Sequence, residues 1–210
     1  MSSEMHRGPI SAGKHAAILK AGLQHFLRHG YSGANVAEIA GEADVSTATL
    51  YKYFRSKEEL FAAVVVNAAQ SAAGYSDFAQ MEGSAAEILT KIAERYLDVQ
   101  FDNRVNDLHR IVIGEVVTAP KLAREMYQYV VERRHESFRL VLDAMVSRGL
   151  LRPHDTALSA SLATGMIKEL VIWPALFDPA YRPPENIREQ VREGIELLLS
   201  YYGSKSVSGA

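Results

Sequence analysis

Residues Gly30–Leu60, GYSGANVAEIAGEADVSTATLYKYFRSKEEL, decide the fold expected for this 210-residue chain. A short helix is predicted to begin at Val36, because Asn35 is a favourable N-cap and Glu38 can complete a capping box with it. Asp44 then ends the helical pattern, and Asp is one of the few residues that tolerate the left-handed backbone of a sharp turn. The stretch therefore predicts a short helix followed by a tight turn.

A second short helix follows that turn, with Ser46 as its predicted N-cap. Leu50 and Phe54 lie four residues apart, so both point toward the core. The residues left for the other faces are Thr47, Ala48, Thr49, Tyr51, Lys52 and Tyr53. A further capping box at Ser56–Glu59 predicts a third helix directly afterward. Two short helices joined by a tight turn are typical of a motif that presents its second helix to a DNA groove.

This pattern, G-Y-x(4)-V-x-x-I-A-x-x-A-x-V-S-x-A-T-L-Y-x-Y-F-x-S-K-E-E-L, resembles the DNA-binding domain of the TetR family (TetR/AcrR type) of bacterial transcriptional regulators. The likeness extends back into the family's first helix, with Gly30 in the position of a left-handed C-cap. Two residues depart from the family pattern: Asn35 replaces the usual Thr or Ser, and Asp44 replaces the usual Gly. Residues 110–130, RIVIGEVVTAPKLAREMYQYV, are similar to the AefR-like class of TetR C-terminal domains.

The resemblance implies a set of DNA-binding residues on the second short helix and beside it. These are Asn35, Ser46, Thr47, Ala48, Thr49, Tyr51, Lys52, Tyr53 and Lys57. In this family Tyr51, Tyr53 and Lys57 correspond to phosphate-binding positions. Thr47, Ala48 and Lys52 correspond to positions that approach base edges, because the N-terminal half of a recognition helix enters the major groove.

Charge gives DNA binding only weak support, since the chain has a net charge of −2. Hydroxyl groups and helix N-termini can still bind phosphates without a formal charge. The absence of cysteine excludes disulfides, thiolate nucleophiles and cysteine-ligated metals, and it favours a reducing cytosol. The N-terminus lacks an apolar signal core and charged residues interrupt the apolar runs, so we expect a cytoplasmic protein that does not span a membrane.

We expect an all-α fold, because no proline falls between Pro9 and Pro120 to interrupt the helical periods. An N-terminal arm and a three-helix helix-turn-helix DNA-binding domain are predicted at residues 1–55. A larger C-terminal helical ligand-binding and dimerisation domain is predicted at 56–202, followed by a disordered Ser/Gly tail at 203–210. Within the larger domain, Pro174 is expected to end or kink a helix near Trp173.

The last two predicted helices carry several apolar faces. The penultimate helix has a small-residue face and a neighbouring larger apolar face. The first face consists of Ala157, Ala160, Ser161, Ala163, Thr164 and Gly165, and the second of Leu158, Leu162, Met166 and Leu170. The final helix carries a stripe of Ile187, Val191, Ile195 and Leu198. Two faces need two partners, so the pattern predicts a homodimer through these helices, although both faces could instead be buried within one chain.

A ligand pocket is predicted among the C-terminal helices from apolar and aromatic residues with a few polar anchors. Its candidate residues are Tyr96, His109, Ile113, Tyr127, Met166 and Trp173. Aromatic residues at helical spacing also suit a plain core. His109 and Glu115 fit equally well as polar anchors of the pocket or as surface residues of an amphipathic helix.

No metal site, cofactor or catalytic residue is expected. His25 and His29 lie four residues apart on the first helix, but no third ligand follows at a suitable spacing, so a solvated face is the expected setting. The sequence lacks a phosphate loop, an HExxH motif and a nucleophile elbow, which leaves enzymatic activity without support.

The sequence therefore predicts a homodimeric transcriptional regulator, most simply a repressor. It would bind double-stranded, pseudo-palindromic operator DNA and release it when a small apolar or aromatic effector binds. The alternative is a TetR-like regulator that acts mainly through a protein partner, without a small-molecule inducer.

Overall fold

Ten α-helices make up most of the described chain in this computed structural model, which describes residues 12–70, 75–102 and 105–204, without the side chains of residues 69, 70, 102, 129 and 130. The helices are α1 Ala12–Gly33, α2 Val36–Glu42, α3 Thr47–Tyr53, α4 Lys57–Gln70, α5 Ala85–Asp102, α6 Val105–Gly114, α7 Pro120–Met126, α8 Arg133–Ser147, α9 Thr156–Phe177 and α10 Ile187–Tyr202. A 3₁₀-helix spans Tyr75–Gln80 and a π-helix spans Tyr127–Glu132. These residues contain no β-strand, which confirms the all-α prediction.

The chain divides into two compact units. Unit 1 comprises Met1–Asn67 and Ile111–Met126, and unit 2 comprises Ala68–Arg110 and Tyr127–Ala210. Unit 1 thus extends past residue 55 and includes most of α4. The boundary between a DNA-binding and a ligand-binding domain stays a prediction. Residues 1–11, which hold most of the predicted N-terminal arm, lie outside the described residues.

The α2–turn–α3 segment of unit 1 has the predicted caps. Asn35 Oδ1 accepts from the Ala37 backbone N–H at 2.9 Å, and Ser46 Oγ accepts from the Thr49 backbone N–H at 3.1 Å. Asp44 has a φ of 52°, as expected for the turn between the helices. These local contacts fix where both helices begin and how the chain reverses between them.

His25 is the main surprise in unit 1, because only 2 % of it is exposed. The expectation of a solvated face was wrong for this residue. His25 Nε2 accepts from the Asn35 backbone N–H at 3.3 Å, and His25 Nδ1 lies 3.4 Å from a carboxylate oxygen of Glu42. His25 thereby takes the capping-box role that was predicted for Glu38, whose carboxylate lies 3.4 Å from His25 Nε2 instead. The described residues include no group of three His, Cys, Asp or Glu that could hold a metal ion.

The positive φ of Asp44 leads to a stability prediction. Asp44→Ala should lower the free energy of unfolding by about 1–2 kcal/mol, because a Cβ without a compensating polar group is costly in the left-handed region. Asp44→Gly should change the free energy of unfolding by less than about 1 kcal/mol. Glycine removes the steric strain of a Cβ at positive φ, but it also increases the conformational entropy of the unfolded chain. Thermal and urea unfolding of both variants measure this. Equal destabilisation by Ala and Gly would contradict it.

Helices α5, α8, α9 and α10 build the core of unit 2. Its most buried residues include Ile88, Leu97, Val141, Leu142, Met145 and Ala160. Gly149 has a φ of 72° just after the C-cap of α8, a left-handed conformation that ends a helix and favours glycine.

Pro174 was expected to end or kink a helix near Trp173. The helix does not end there, because α9 continues to Phe177 with Pro174 inside it. Proline has no backbone N–H, so the carbonyl of Leu170 loses its helical donor. The Tyr181 hydroxyl replaces that donor and reaches the Leu170 oxygen at 3.0 Å. This hydrogen bond satisfies the Leu170 carbonyl, so the helix can continue beyond Pro174.

The first two residues of the predicted disordered tail, Gly203 and Ser204, are ordered. Gly203 pairs with Leu151 in an isolated antiparallel bridge, and the Ser204 backbone N–H donates to the Leu150 oxygen at 3.3 Å. Both residues are therefore held against the turn that follows α8. Residues 205–210 lie outside the described part of the chain.

Candidate DNA-binding surface and ligand cavity

Helix α3 has one buried side and one accessible side. Leu50 is fully buried, whereas Ala48 and Lys52 are exposed and Thr47 is half-buried. Tyr51 is 46 % exposed. The residues predicted to meet base edges therefore occupy the accessible side of a helix anchored by its inner residues.

The other predicted DNA-binding residues lie in or beside α2, α3 and α4, and several of them already make contacts within unit 1. Asn35 and Ser46 use their side-chain oxygens as helix caps. Lys57 Nζ donates to the Ser32 carbonyl oxygen at 3.1 Å and lies 4.8 Å from the centre of the Tyr31 ring. The ring of Tyr53 lies beside that of Phe54, with centroids 6.5 Å apart. Their DNA contacts stay predictions.

Glu115, just after α6, contacts the end of α1. Its carboxylate accepts from the Ser32 backbone N–H at 3.2 Å and from the Ser32 hydroxyl at 2.9 Å. Hydrogen bonds from Thr118 and Ser32 hold the pKa of the Glu115 carboxyl below its usual value. Glu115 belongs to unit 1 and does not line the ligand cavity found in unit 2, so it is not a polar anchor of that cavity. Its contact with Ser32 was not predicted from the sequence.

Unit 2 contains a cavity of about 60 Å³ with almost entirely apolar walls. It is lined by Tyr75, Leu89, Ile92, Ala93, Tyr96, Phe138, Ala163, Thr164, Met166, Ile167, Leu170, Gln190, Val191, Gly194, Ile195 and Leu198. Of the six residues predicted for a ligand pocket, Tyr96 and Met166 line this cavity.

The other four predicted pocket residues lie elsewhere. Ile113, Tyr127 and Trp173 are exposed by 54 %, 55 % and 51 % and do not line the cavity, so their assignment to its wall is corrected. Helical spacing groups residues on one face without showing which face turns inward. His109 is also absent from the cavity wall, and it belongs to a group of buried polar residues instead.

We call this group, Gln100, Asn106, His109 and Arg134, the polar cluster. Each has one buried side-chain atom without a hydrogen-bond partner among the described residues: Gln100 Oε1, Asn106 Oδ1, His109 Nδ1 and Arg134 Nη2. Burial, with the nearby positive charges of Arg134 and Lys168, lowers the pKa of His109 to about 4. Sequence reasoning missed Gln100, Asn106 and Arg134, because polar residues within amphipathic helices carry no signal for burial.

The faces of α9 and α10 are only partly buried within unit 2. Ala160 and Ala163 of the small-residue face are buried there, and so is most of the stripe on α10. Ala157, Ser161 and Gly165 of the small-residue face are exposed. The alternative that both faces are buried within one chain therefore holds for the stripe and for part of the small-residue face, and the homodimer stays a prediction. Other apolar side chains of the two helices are exposed: Leu158, Leu162, Trp173, Phe177, Leu197 and Tyr201.

Helix α9 is long and apolar enough to cross a membrane by length and composition, and 17 % of its most apolar window is buried. Criteria of this kind do not distinguish a membrane helix from a helix whose apolar face packs on another subunit.

Two family models match the chain. Residues 18–64 match the model described as bacterial regulatory proteins of the tetR family. Residues 87–204 match the C-terminal domain of AefR-like transcriptional repressors, and this match alone covers more than half of the chain. The chain belongs to the TetR family. The resemblance found in the sequence is thereby confirmed for both the helix-turn-helix and the C-terminal domain.

Individual relatives agree with this assignment. The TetR-family chain is 30 % identical over 132 residues to the HTH-type transcriptional regulator YttP of Bacillus subtilis, a match that covers 60 % of the chain and 61 % of YttP. A crystal structure of a TetR-family transcriptional regulator from Mesorhizobium loti has a TM-score of 0.82 and 28 % identity, covering 93 % of this chain and all of the other. FadR of Bacillus subtilis, solved with stearoyl-CoA, has a TM-score of 0.68 at 18 % identity, covering 89 % of this chain and 98 % of FadR, and shows the shared fold.

Proposed function

We propose that this protein is a cytoplasmic, homodimeric repressor that binds a pseudo-palindromic operator and releases it when a small, largely apolar or aromatic molecule binds in unit 2. The observation that carries the proposal is the geometry of α3. Its core side is anchored by Leu50, its N-terminus is capped by Ser46, and Ala48 and Lys52 lie on the accessible side. A helix held in this way is suited to lie in a major groove.

The exposed apolar residues of α9 and α10 support the homodimer. Six large apolar side chains of these two helices are exposed, and a helix face of this kind is typical of a protein contact. In a two-fold contact each residue meets the same surface of the second copy. To read adjacent half-sites, the two recognition helices of such a dimer must lie about 34–36 Å apart. The proposed interface therefore uses exposed residues such as Leu162 and Leu197 rather than the buried Ala160 and Ala163.

The apolar cavity supports control by a ligand. Few polar atoms line it, so an apolar group gains most from binding there. With a volume of about 60 Å³ it holds only a small group unless flexible side chains such as Met166 move. FadR, which shares this fold, was solved in complex with stearoyl-CoA, and this is consistent with ligand binding by a protein of this fold. The expected coupling between ligand and DNA is about 1–3 kcal/mol.

The decisive experiment is a binding titration of the purified protein with intergenic DNA from beside its own gene, measured by fluorescence anisotropy against scrambled DNA of equal length. We expect selective binding that a small molecule relieves. Selective binding that no compound changes, but that a protein partner alters, would support the alternative regulator without an inducer. Equal affinity for both DNAs would contradict sequence-specific repression.

Two lysine variants should separate base recognition from phosphate binding. Lys52→Ala should change the preferred bases and cost about 1–3 kcal/mol on the best operator. Lys57→Ala should weaken binding to all sequences alike and reduce the slope of log affinity against log salt by about one. Selection of bound sequences from a random pool, combined with a salt series, measures both effects. If Lys52→Ala kept both affinity and base preference, its assignment to the groove would be wrong.

A further inference from the structure

The polar cluster of unit 2 is connected by weak contacts that leave several strong hydrogen-bonding groups unused. Asn106 Nδ2 donates to the Gln100 backbone oxygen at 3.4 Å, and Gln100 Nε2 donates to the Tyr96 hydroxyl at 3.4 Å. The Arg134 guanidinium carbon lies 5.7 Å from the centre of the Tyr96 ring. Buried polar atoms in folded proteins nearly always have partners, so four unpaired atoms in one group call for a ligand or water.

The cluster also has an excess of positive charge. Within the described residues neither Arg134 nor Lys168 forms an ion pair with a carboxylate. Burial lowers the pKa of Lys168, and the positive charge of Arg134 lowers it further. Burying charges of one sign without a counter-ion is unfavourable, and an anion bound between them would remove the cost.

Tyr96 joins the cluster to the apolar cavity. It contacts Gln100 through its hydroxyl and Arg134 through its ring, and it also lines the cavity. An apolar compartment and a cationic one therefore share a wall at Tyr96.

We propose that Arg134, Lys168 and His109 bind the carboxylate of a small monocarboxylic acid whose apolar chain lies in the cavity beside Tyr96. This inference rests on the proposed function, because it takes the cavity as the effector site and names the chemical class of the effector. The Arg134 guanidinium matches the two oxygens of a carboxylate, and the Lys168 ammonium and an N–H of neutral His109 supply further donors. The amide oxygens of Gln100 and Asn106 accept from a water that the carboxylate also holds.

A purely structural role for Arg134, packing its guanidinium on Tyr96, makes a different prediction. If Arg134 served only to stabilise the fold, replacing it would lower the melting temperature. If it serves a ligand, Arg134→Met removes an unpaired charge and keeps apolar contact with Tyr96, so the melting temperature should stay the same or rise.

The test uses the full-length protein with hexanoate and hexanamide, two probes of the same shape that differ in charge. Isothermal titration calorimetry should show that hexanoate binds at least about tenfold more tightly than hexanamide, as expected for a charge-assisted contact. Arg134→Met should lose this preference without a lower melting temperature. Arg124→Met, on the exposed surface of unit 1, is the matched control and should retain it.

Equal binding of acid and amide, no detectable binding of hexanoate at millimolar concentration, or an unchanged preference in Arg134→Met would each overturn the carboxylate site. None of these outcomes tests the proposed repressor function. That function is tested separately, by titrating the protein with operator DNA in the absence of any added acid. A protein that binds its operator but prefers hexanamide or neither probe keeps the proposed function and loses this inference.

Discussion

Leu162→Glu should convert the protein into a monomer and remove most of its operator affinity. Leu162 is 49 % exposed in the first half of α9, and a two-fold contact around this residue would bring the new carboxylate close to its copy on the second subunit. Burying two like charges without partners costs several kcal/mol, more than a modest dimer interface can offset. A monomer reads one half-site, so operator affinity should fall by at least about 100-fold.

Size-exclusion chromatography with light scattering measures the oligomeric state, and anisotropy measures operator affinity. Val117→Glu is the matched control, because Val117 is an exposed apolar residue outside α9 and α10 and is 89 % accessible. The control should remain a dimer. A Leu162→Glu protein that still elutes as a dimer, with unchanged helical content by circular dichroism, would place the interface elsewhere.

The helix-turn-helix was predictable because its signals are local. The capping side chains of Asn35 and Ser46 act within three residues of their own positions, and the positive φ of Asp44 is a property of one residue. Leu50 and Phe54 point inward because residues four apart share a helix face. None of these inferences required knowledge of what packs against the motif.

The predictions that were wrong, and the contacts that were not predicted, depend on residues distant in sequence. His25 is buried because Glu42 and the Asn35 backbone, on or beside α2, approach it across the turn after α1. Helix α9 continues through Pro174 because the hydroxyl of Tyr181 reaches back to Leu170. The periodicity of a single helix does not show which distant residues will contact it.

The cavity wall and the proposed dimer face were predicted only in part, because sequence periodicity does not show what each helix face packs against. Helix α9 is apolar on nearly all sides, so its pattern does not distinguish the face that packs on α10 from the face left for a partner. Ala163 is buried within unit 2 whereas Leu162, its neighbour, is exposed. A charged residue at Ala163 would therefore disturb the core of one subunit, which makes Leu162 the better test of dimerisation.

Gly194→Leu should give a repressor that binds its operator normally but no longer responds to its effector. Gly194 lies within α10 on the cavity wall, and a Cβ added there would lie 3.8 Å from the sulfur of Met166, an ordinary contact. The added side chain therefore occupies ligand space. Leucine also favours the helix by roughly 0.5–1 kcal/mol relative to glycine, which offsets part of any overpacking of the small cavity.

The measurement compares operator affinity with and without any compound that releases the wild-type protein. A wild-type response of about 5–150-fold should fall to nearly one in Gly194→Leu, because a ligand that cannot bind shifts no equilibrium. Gly194→Ala is the matched control: it gains helix propensity but leaves most of the cavity open, so it should keep its response. If Gly194→Leu folded, bound the operator and still responded like the wild type, the cavity between α5, α9 and α10 would not be the effector site, and control would have to act through another part of the protein.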